Sequence, residues 1–260
     1  SQRFHIRNYH TNNNGKSSST YTREGDKAIS MLTPFTTRTS TENYAIWEQA
    51  GVLTFRSGPM RQNASFGTVE VEEGKLSVLW SQPVGSMKAK ESTLYGVVAP
   101  GQPLIIKWPT EMRTDYLGLK DEARQVTALK EVIISGQDGK IYFYNLLDGT
   151  MTREPIDIGA PSAGGLSLAT NGTPVLGVGQ SHAMLAKKTV NCGYHLINLV
   201  TNEEIMLVRT DNDKERNSSY SGVLGAALFD KNTGTAIFGT QGGALYTVEL
   251  GDRKQTFTFK

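Results

Sequence analysis

The sequence predicts an all-β protein of short antiparallel strands, and three observations support that prediction. Short runs of β-branched and aromatic residues alternate with glycine, asparagine and aspartate, which supply the positive φ that tight hairpin turns need. The 260-residue chain contains 27 glycines, more than average usage supplies. The same arrangement of runs and turns also recurs along the chain, which is typical of repeat architectures.

The most regular unit has the sequence EVIISGQDGKIYFYNLLDGTMTREPIDIG and begins at Glu131. It contains a β-run that ends in Gly-Gln, a glycine-marked turn, a second run with tyrosine, a short polar turn and a third run. Two later stretches follow the same plan. The glycines that open the second run are 54 and 50 residues apart (193 − 139 and 243 − 193). They are Gly139, Gly193 and Gly243.

Each unit also has a strand ahead of it. The stretch GGLSLATNGTPVLGVG pairs Leu166–Ala169 with Val175–Val178 around Asn171-Gly172, a strong hairpin signal. GAALFDKNTGTAIFG repeats this pattern, and QPLIIKW occupies the same place in the preceding unit. These inner runs are continuously apolar, as expected for strands covered on both faces. Four-stranded sheets repeated in this way predict a β-propeller, with a solenoid as the alternative.

The chain divides into an irregular Ser/Thr/Asn-rich lead-in, residues 1–50, and a propeller, residues 51–260. Blade boundaries are expected at about 51–100, 101–160, 161–220 and 221–260. The first blade is degenerate, from Val52 to Trp80, and an insertion before Glu131 is expected to form a short helix. KQTFTFK is interpreted as the outermost strand of the fourth unit. We expect an open arc of four blades from a longer protein, or a ring completed by another copy, with an exposed blade edge for self-association.

Composition excludes several classes of function. Lys+Arg number 27 against 25 Asp+Glu, so no strongly basic face for nucleic acid is expected. The sequence contains no run of about 18 apolar residues, so no membrane-spanning helix is expected. The single cysteine, Cys192, cannot form an internal disulfide, and we interpret it as a small apolar filler in the core.

Three stretches resemble the pyrroloquinoline-quinone (PQQ)-like β-propeller repeat proteins of Gram-positive anaerobes. They are GVLTFRSGPMRQNASFGTVEVEEGKLSVLWSQPVG, GQPLIIKWP and EVIISGQDGKIYFYNLLDGTMTREPIDIG, and the resemblance covers roughly Gly51 to Leu250. It implies an exported or cell-surface bacterial protein without an assigned reaction. The repeat is more distantly similar to the outer-membrane assembly-factor propellers, which are scaffolds.

The resemblance does not imply a bound quinone. In quinoprotein dehydrogenases the quinone typically lies between a vicinal Cys-Cys disulfide and a tryptophan, beside a calcium ion held by Glu, Asn and Asp. The lone Cys192 cannot form that disulfide. The stretch NLLDGTMTREP has the Asp-Gly turn of the family's repeat signature without its tryptophan. No PQQ and no other cofactor is therefore expected.

Metal and catalytic signals are weak. The four histidines are scattered, and only His182 falls in a turn-rich loop. RTDNDKERN places Asp211, Asp213 and Glu215 at alternate positions, as at the start of a calcium loop, but it lacks the glycine and the distal glutamate of that motif. We interpret it as a solvated charged loop. No G-x-S-x-G elbow, P-loop or dinucleotide fingerprint is present.

Two classes of function stay open. The first is a non-catalytic binding or scaffold module that recognises a polypeptide or a glycan on one propeller face. The second is a glycan-active enzyme with acidic residues on one face. The loops between second and third strands are expected to place polar residues on the same face, where glutamines either recognise a ligand or bond to their own turns. The candidate residues are Arg61, Gln62, Gln137, Asp138, Gln180, His182 and Gln241, with Trp108 on an adjoining loop as a stacking platform.

Overall fold

The computed structural model describes residues 5–11, 17–22, 50–56, 74–98, 102–163, 165–169, 174–181, 184–214, 219–230 and 235–249. This part of the chain is all-β with two short helical segments, and its sheets are mainly antiparallel. The predicted fold class is confirmed at that level.

Sheet I has five antiparallel strands. Their order is β3 (Ala50–Val52), β6 (Leu104–Lys107), β7 (Lys130–Ser135), β8 (Lys140–Asn145) and β9 (Ile156–Asp157). The hairpin β7–β8 contains the most regular stretch of the sequence, and Gly139 in its turn has φ 83°. The predicted inner strand QPLIIKW is β6, which pairs with β7 and also with β3 on its other edge.

Sheet II has four antiparallel strands. They are β10 (Ser167–Leu168), β11 (Val175–Gly179), β12 (Gly193–Asn198) and β13 (Glu203–Arg209), in that order. The hairpin predicted around Asn171-Gly172 is confirmed, because Ser167 pairs with Gly177 and Leu168 with Leu176.

Sheet III combines the two ends of the described chain. Its strands are β14 (Leu228–Asp230), β15 (Thr235–Gly239), β16 (Ala244–Glu249), β1 (His5–Thr11) and β2 (Ser17–Thr22), in that order. β1 runs parallel to β16 and antiparallel to β2. The expectation of an irregular lead-in is therefore wrong for these two segments. Pairing with β16 satisfies the backbone hydrogen-bonding groups of β1. The polar sequence of β1 gave no indication of this pairing. β1 pairs along one edge of β16. The predicted outermost strand KQTFTFK lies outside the described residues.

The remaining elements are short. A hairpin joins β4 (Ser86–Lys88) to β5 (Thr93–Tyr95). The insertion before β7 contains a π-helical turn, α1 (Met112–Tyr116), and one α-helical turn, α2 (Asp121–Gln125). The short helix expected there is confirmed.

The predicted first blade does not form its own four-stranded sheet from the described residues. Val52 belongs to β3, which pairs with β6 of sheet I. Residues 75–80 belong to no helix or strand, and residues 57–73 of that unit lie outside the described part. The alternation of apolar residues in this unit fits a separate sheet and an extra strand of sheet I equally well, so the sequence did not decide between them.

The three sheets pack face to face in chain order. One face of sheet I, with Ile133 and Phe143, packs against Leu176 and Val178 of sheet II. The opposite face of sheet II packs against Phe238 and other residues of sheet III. Because side chains alternate along a strand, the central sheet contributes to both cores.

The outer face of sheet I is covered by the segment before β4. Trp80 and Val84 pack against Tyr142 and Tyr144 of β8. The Trp80 indole N–H also donates to the Leu146 carbonyl at 2.9 Å.

Candidate functional site: the turn face

The turn between β7 and β8 sets the pattern of the candidate site. The Gly136 N–H donates to the Lys140 carbonyl at 2.8 Å, and the Gly139 N–H donates back to the Gly136 carbonyl at 3.2 Å. Gly139 needs its glycine because φ is 83° and a Cβ would lie 3.0 Å from the Ala160 nitrogen. Gln137 and Asp138 are the two central residues of this turn.

Hydrogen bonds identify the equivalent turns of the other two sheets. The Gln180 N–H donates to the Gly193 carbonyl at 3.1 Å, and the Thr240 N–H donates to the Ala244 carbonyl at 3.0 Å. Gly136, Gln180 and Thr240 are therefore equivalent. The next position is Gln137 in sheet I, Ser181 in sheet II and Gln241 in sheet III.

Gln180 is consequently one position out of register with Gln137 and Gln241, and the expectation that all three share one face is wrong for Gln180. A shift of one residue in a strand turns the side chain to the opposite face. Gln137 is partly exposed and Gln241 is exposed, whereas Gln180 is fully buried. The loop between β11 and β12 is longer than the equivalent turns of the other two sheets, so the sequence did not reveal this shift.

Three linkers bond to these turns, and the turns and linkers together form a row that we call the turn face. Linker 1 is residues 95–98, linker 2 is residues 160–163 and linker 3 is residues 221–224. The second residue of each turn donates its backbone N–H to a linker carbonyl, with nitrogen–oxygen distances of 2.8 to 2.9 Å. The pairs are Gln137 with Gly96, Ser181 with Pro161, and Gln241 with Gly222.

Linkers 2 and 3 also bond to the preceding sheet. The Ser162 N–H donates to the Gly136 carbonyl at 3.2 Å, and the Val223 N–H donates to the Gln180 carbonyl at 2.8 Å. Each of these linkers is thus held between two turns by backbone hydrogen bonds. An extended polypeptide is the natural occupant of such a position.

The buried Gln180 side chain belongs to a polar chain inside sheet II. Its Oε1 lies 3.1 Å from Nε2 of His195, and His195 Nδ1 lies 2.5 Å from Oε2 of Glu204. His195 is buried, whereas the Glu204 side chain is 42% exposed. Gln180 therefore bonds within its own sheet rather than to a ligand.

Asp138 is engaged in the same way. Its Oδ2 accepts a hydrogen bond from the Tyr142 hydroxyl, and its Oδ1 accepts from the Lys140 N–H at 3.2 Å. Burial and the hydrogen bond to Asp138 raise the pKa of Tyr142 to about 12. In sheet III the equivalent Tyr246 donates instead to Asp213 at 2.8 Å.

Trp108 is buried, with 4% of its surface exposed. Its indole N–H donates to Oε2 of Glu131 at 2.7 Å. The structure therefore does not present Trp108 as a stacking platform. The apolar strand before it, LIIK, was the signal in the sequence that the ring continues a buried face.

Glu131 and Arg153 form a buried ion pair that sequence reasoning did not find. Arg153 Nη2 lies 2.9 Å from Glu131 Oε2, and both side chains are essentially inaccessible. Arg153 Nη1 crosses to sheet II, where it donates to the Leu199 carbonyl and to Asn202 Oδ1, each at 2.9 Å. The guanidinium carbon lies 4.7 Å from the centroid of the Phe143 ring. The buried ion pair thus bonds to groups of both sheets, so it acts as a link between them.

The remaining predicted residues are separate from this row or lie outside the described part of the chain. Arg61, Gln62 and His182 lie outside the described residues. The carboxylates considered for calcium have protein partners, since Asp211 pairs with Arg209 at 2.8 Å and Asp213 accepts from Tyr246. Glu215 also lies outside the described part, within which no cluster of three potential metal ligands occurs.

Cys192 is buried directly before β12, in agreement with the predicted packing position. Burial raises the pKa of its thiol, which lowers the thiolate fraction at neutral pH. Its carbonyl accepts the Thr210 N–H at 2.8 Å. Among the described segments, no helix is long and apolar enough to cross a membrane.

The sequence matches no protein-family model, and a search of curated proteins gives no significant match.

Proposed function

We propose that the protein is a non-catalytic binding or scaffold module that recognises an extended polypeptide on its turn face. The observation that carries this proposal is the repeated backbone bond from Gln137, Ser181 and Gln241 to a linker carbonyl. The face is thus already built to hold extended chain. Backbone bonding of this kind gives affinity that tolerates many sequences, which suits a polypeptide better than a glycan.

The placement of the acidic side chains supports the same choice over a glycan-active enzyme. Glycoside hydrolysis uses two carboxyl groups about 5–9 Å apart on either side of an open cleft. In the described structure, the carboxylates of Glu131, Asp138 and Asp213 are buried and bonded to protein groups. They stabilise the sheets rather than face a cleft.

The proposal includes a propeller-type arrangement of the sheets. Sheets I, II and III follow one another in chain order, and a linker joins the outer strand of one to the inner strand of the next. This is the connectivity of propeller blades. An exported or cell-surface bacterial role, as in the PQQ-like repeat proteins that the sequence resembles, is part of the same proposal, and no cofactor is assigned.

A displayed library of random peptides, selected on the immobilised protein, tests the proposal. The selected peptides should lose binding at least about tenfold to the double variant Gln137→Ala/Gln241→Ala, which corresponds to about 1.4 kcal/mol. The melting temperature of this variant should stay unchanged, because both side chains reach solvent. Gln180→Ala serves as the matched control and should lower the melting temperature, since it removes a buried partner of His195.

Two outcomes would contradict the proposal. One is peptide binding that survives the double substitution at full affinity. The other is selection of no peptide at all, together with saturable binding on a glycan array.

A further inference from the structure

Among the described residues, linker 1 makes one of the two bonds to a turn that linkers 2 and 3 each make. Its Gly96 carbonyl accepts from Gln137 at 2.9 Å, as expected for the sheet that follows. The next residue, Val97, is equivalent to Ser162 and Val223, whose N–H groups donate to the turn of the preceding sheet. Among the described residues, the Val97 N–H has no such acceptor.

In the described residues, the turn of sheet III lacks the bond that a following linker makes to the turns of sheets I and II. Gln241 donates to the Gly222 carbonyl at 2.8 Å, so the turn is bonded to the linker before it. Thr240 is equivalent to Gly136 and Gln180, whose carbonyls accept from a following linker. Within the described part of the chain, the Thr240 carbonyl accepts only from Gly243 of its own turn.

The strand position before this turn shows the same difference. A Cβ on Gly179 in sheet II would overlap the Val223 carbonyl oxygen, because linker 3 lies against it. A Cβ on the equivalent Gly239 would meet nothing within 4 Å. Gly239 lines an open cavity of about 450 Å³, together with Leu224, Thr240 and Leu245. In the described part of the chain, sheet III therefore has a bare position at Gly239, where sheet II holds a linker.

Linker 1 itself carries two exposed apolar side chains. Val97 is 40% exposed and Tyr95 is 70% exposed. A contact with another chain would cover these two side chains.

We propose that two copies of this chain associate head to tail, with linker 1 of one copy on the turn of sheet III of the other. Val97 would lie over Gly239, and its N–H would donate to the Thr240 carbonyl. This contact repeats the geometry already present at both junctions within one chain. It is heterologous, so it closes into a ring or extends as a filament. The contact uses only the Val97 N–H and the Thr240 carbonyl as its hydrogen-bonding groups. It does not depend on whether the turn face binds another polypeptide.

Analytical ultracentrifugation of the purified chain over a concentration series tests the association. The wild type should exceed the monomer mass increasingly with concentration. Gly239→Val fills the bare position, and Val97→Arg places a charge in the apolar contact. Each variant on its own should therefore remain monomeric at all concentrations. An equimolar mixture should form a one-to-one heterodimer, because each variant retains one intact surface. Leu147→Arg, at an exposed apolar position between β8 and β9, should associate like the wild type.

Hydrogen exchange supplies the second readout. The Val97 amide should exchange at least about tenfold more slowly in the wild type at high concentration than in Gly239→Val, since association closes its hydrogen bond. A wild type that stays monomeric throughout would overturn the proposal, as would a mixture that forms no heterodimer. A monomer whose melting temperature falls with Gly239→Val would show that the chain itself occupies the position, and would also overturn it.

Discussion

The junction between sheets I and II and the junction between sheets II and III share one backbone pattern but use different side chains. The first contains a mainly aliphatic core that also includes Phe143 and Trp108, and the Glu131–Arg153 ion pair crosses it. The second contains stacked aromatic rings, with 4.5 Å between the centroids of Tyr194 and Phe238 and 5.4 Å between those of Phe238 and Tyr246.

The difference shows which part of the repeat is constrained. Linkers must meet turns through backbone groups, and these bonds recur with similar lengths in both junctions. The space between the sheets only has to be filled at high density. A charged pair can fill it if every donor and acceptor is bonded, whereas rings need a small residue opposite them. Gly177 provides that small residue beneath Tyr194.

Breaking the ion pair should have the largest effect on the comparison. Arg153→Ala leaves Glu131 buried without its counter-charge and should lower the free energy of unfolding by about 3–5 kcal/mol. The matched control is Arg209→Ala, which removes an ion pair with Asp211 near the surface and should cost at most about 1 kcal/mol. Urea denaturation measures both. Equal losses would show that burial of the first pair is energetically unimportant.

Filling the space under the aromatic ring should have a smaller effect. A Cβ at residue 177 would lie 2.5 Å from the Tyr194 ring and hydroxyl, so Gly177→Ala should destabilise the protein by about 1–3 kcal/mol. Gly225→Ala is the control, because nothing lies within 4 Å of its added Cβ. It should change stability by no more than about 0.5 kcal/mol. A stability change at Gly177 no larger than the control would mean that the second junction is loosely packed.

The smallest effect concerns pH and the outer face of sheet I. Burial and the bond to Asp138 raise the pKa of Tyr142 from 10.0 to about 12. The neutral phenol is favoured in the folded state, so its contribution to stability is full below pH 10 and is lost as the pH rises towards 12. Denaturation across this range should show a steeper loss for the wild type than for Tyr142→Phe. Parallel curves would contradict the assignment, and Asp138→Asn should lower the pKa of Tyr142.

Much of the strand pattern could be predicted because it depends on local chemistry. Turn glycines and asparagines, and short β-branched runs, indicated the hairpins β7–β8, β10–β11, β14–β15 and β15–β16. The helical insertion was also visible from its charge spacing. The equivalence of Gln180 with Gln137 was not predictable, since one extra residue in a strand reverses the side chain and periodic spacing does not resolve a shift of that size.

The sequence by itself determined the all-β class, the series of hairpins and the burial of Cys192, because these depend on neighbours along the chain. Only the tertiary structure decided the parallel pairing of β1 with β16, the position of β3 on sheet I and the bond between Glu131 and Arg153. It also decided that Trp108 is a core residue and that Gly239 is bare. Each of these depends on groups far apart in sequence, and such pairings are set by packing and by the satisfaction of buried polar groups.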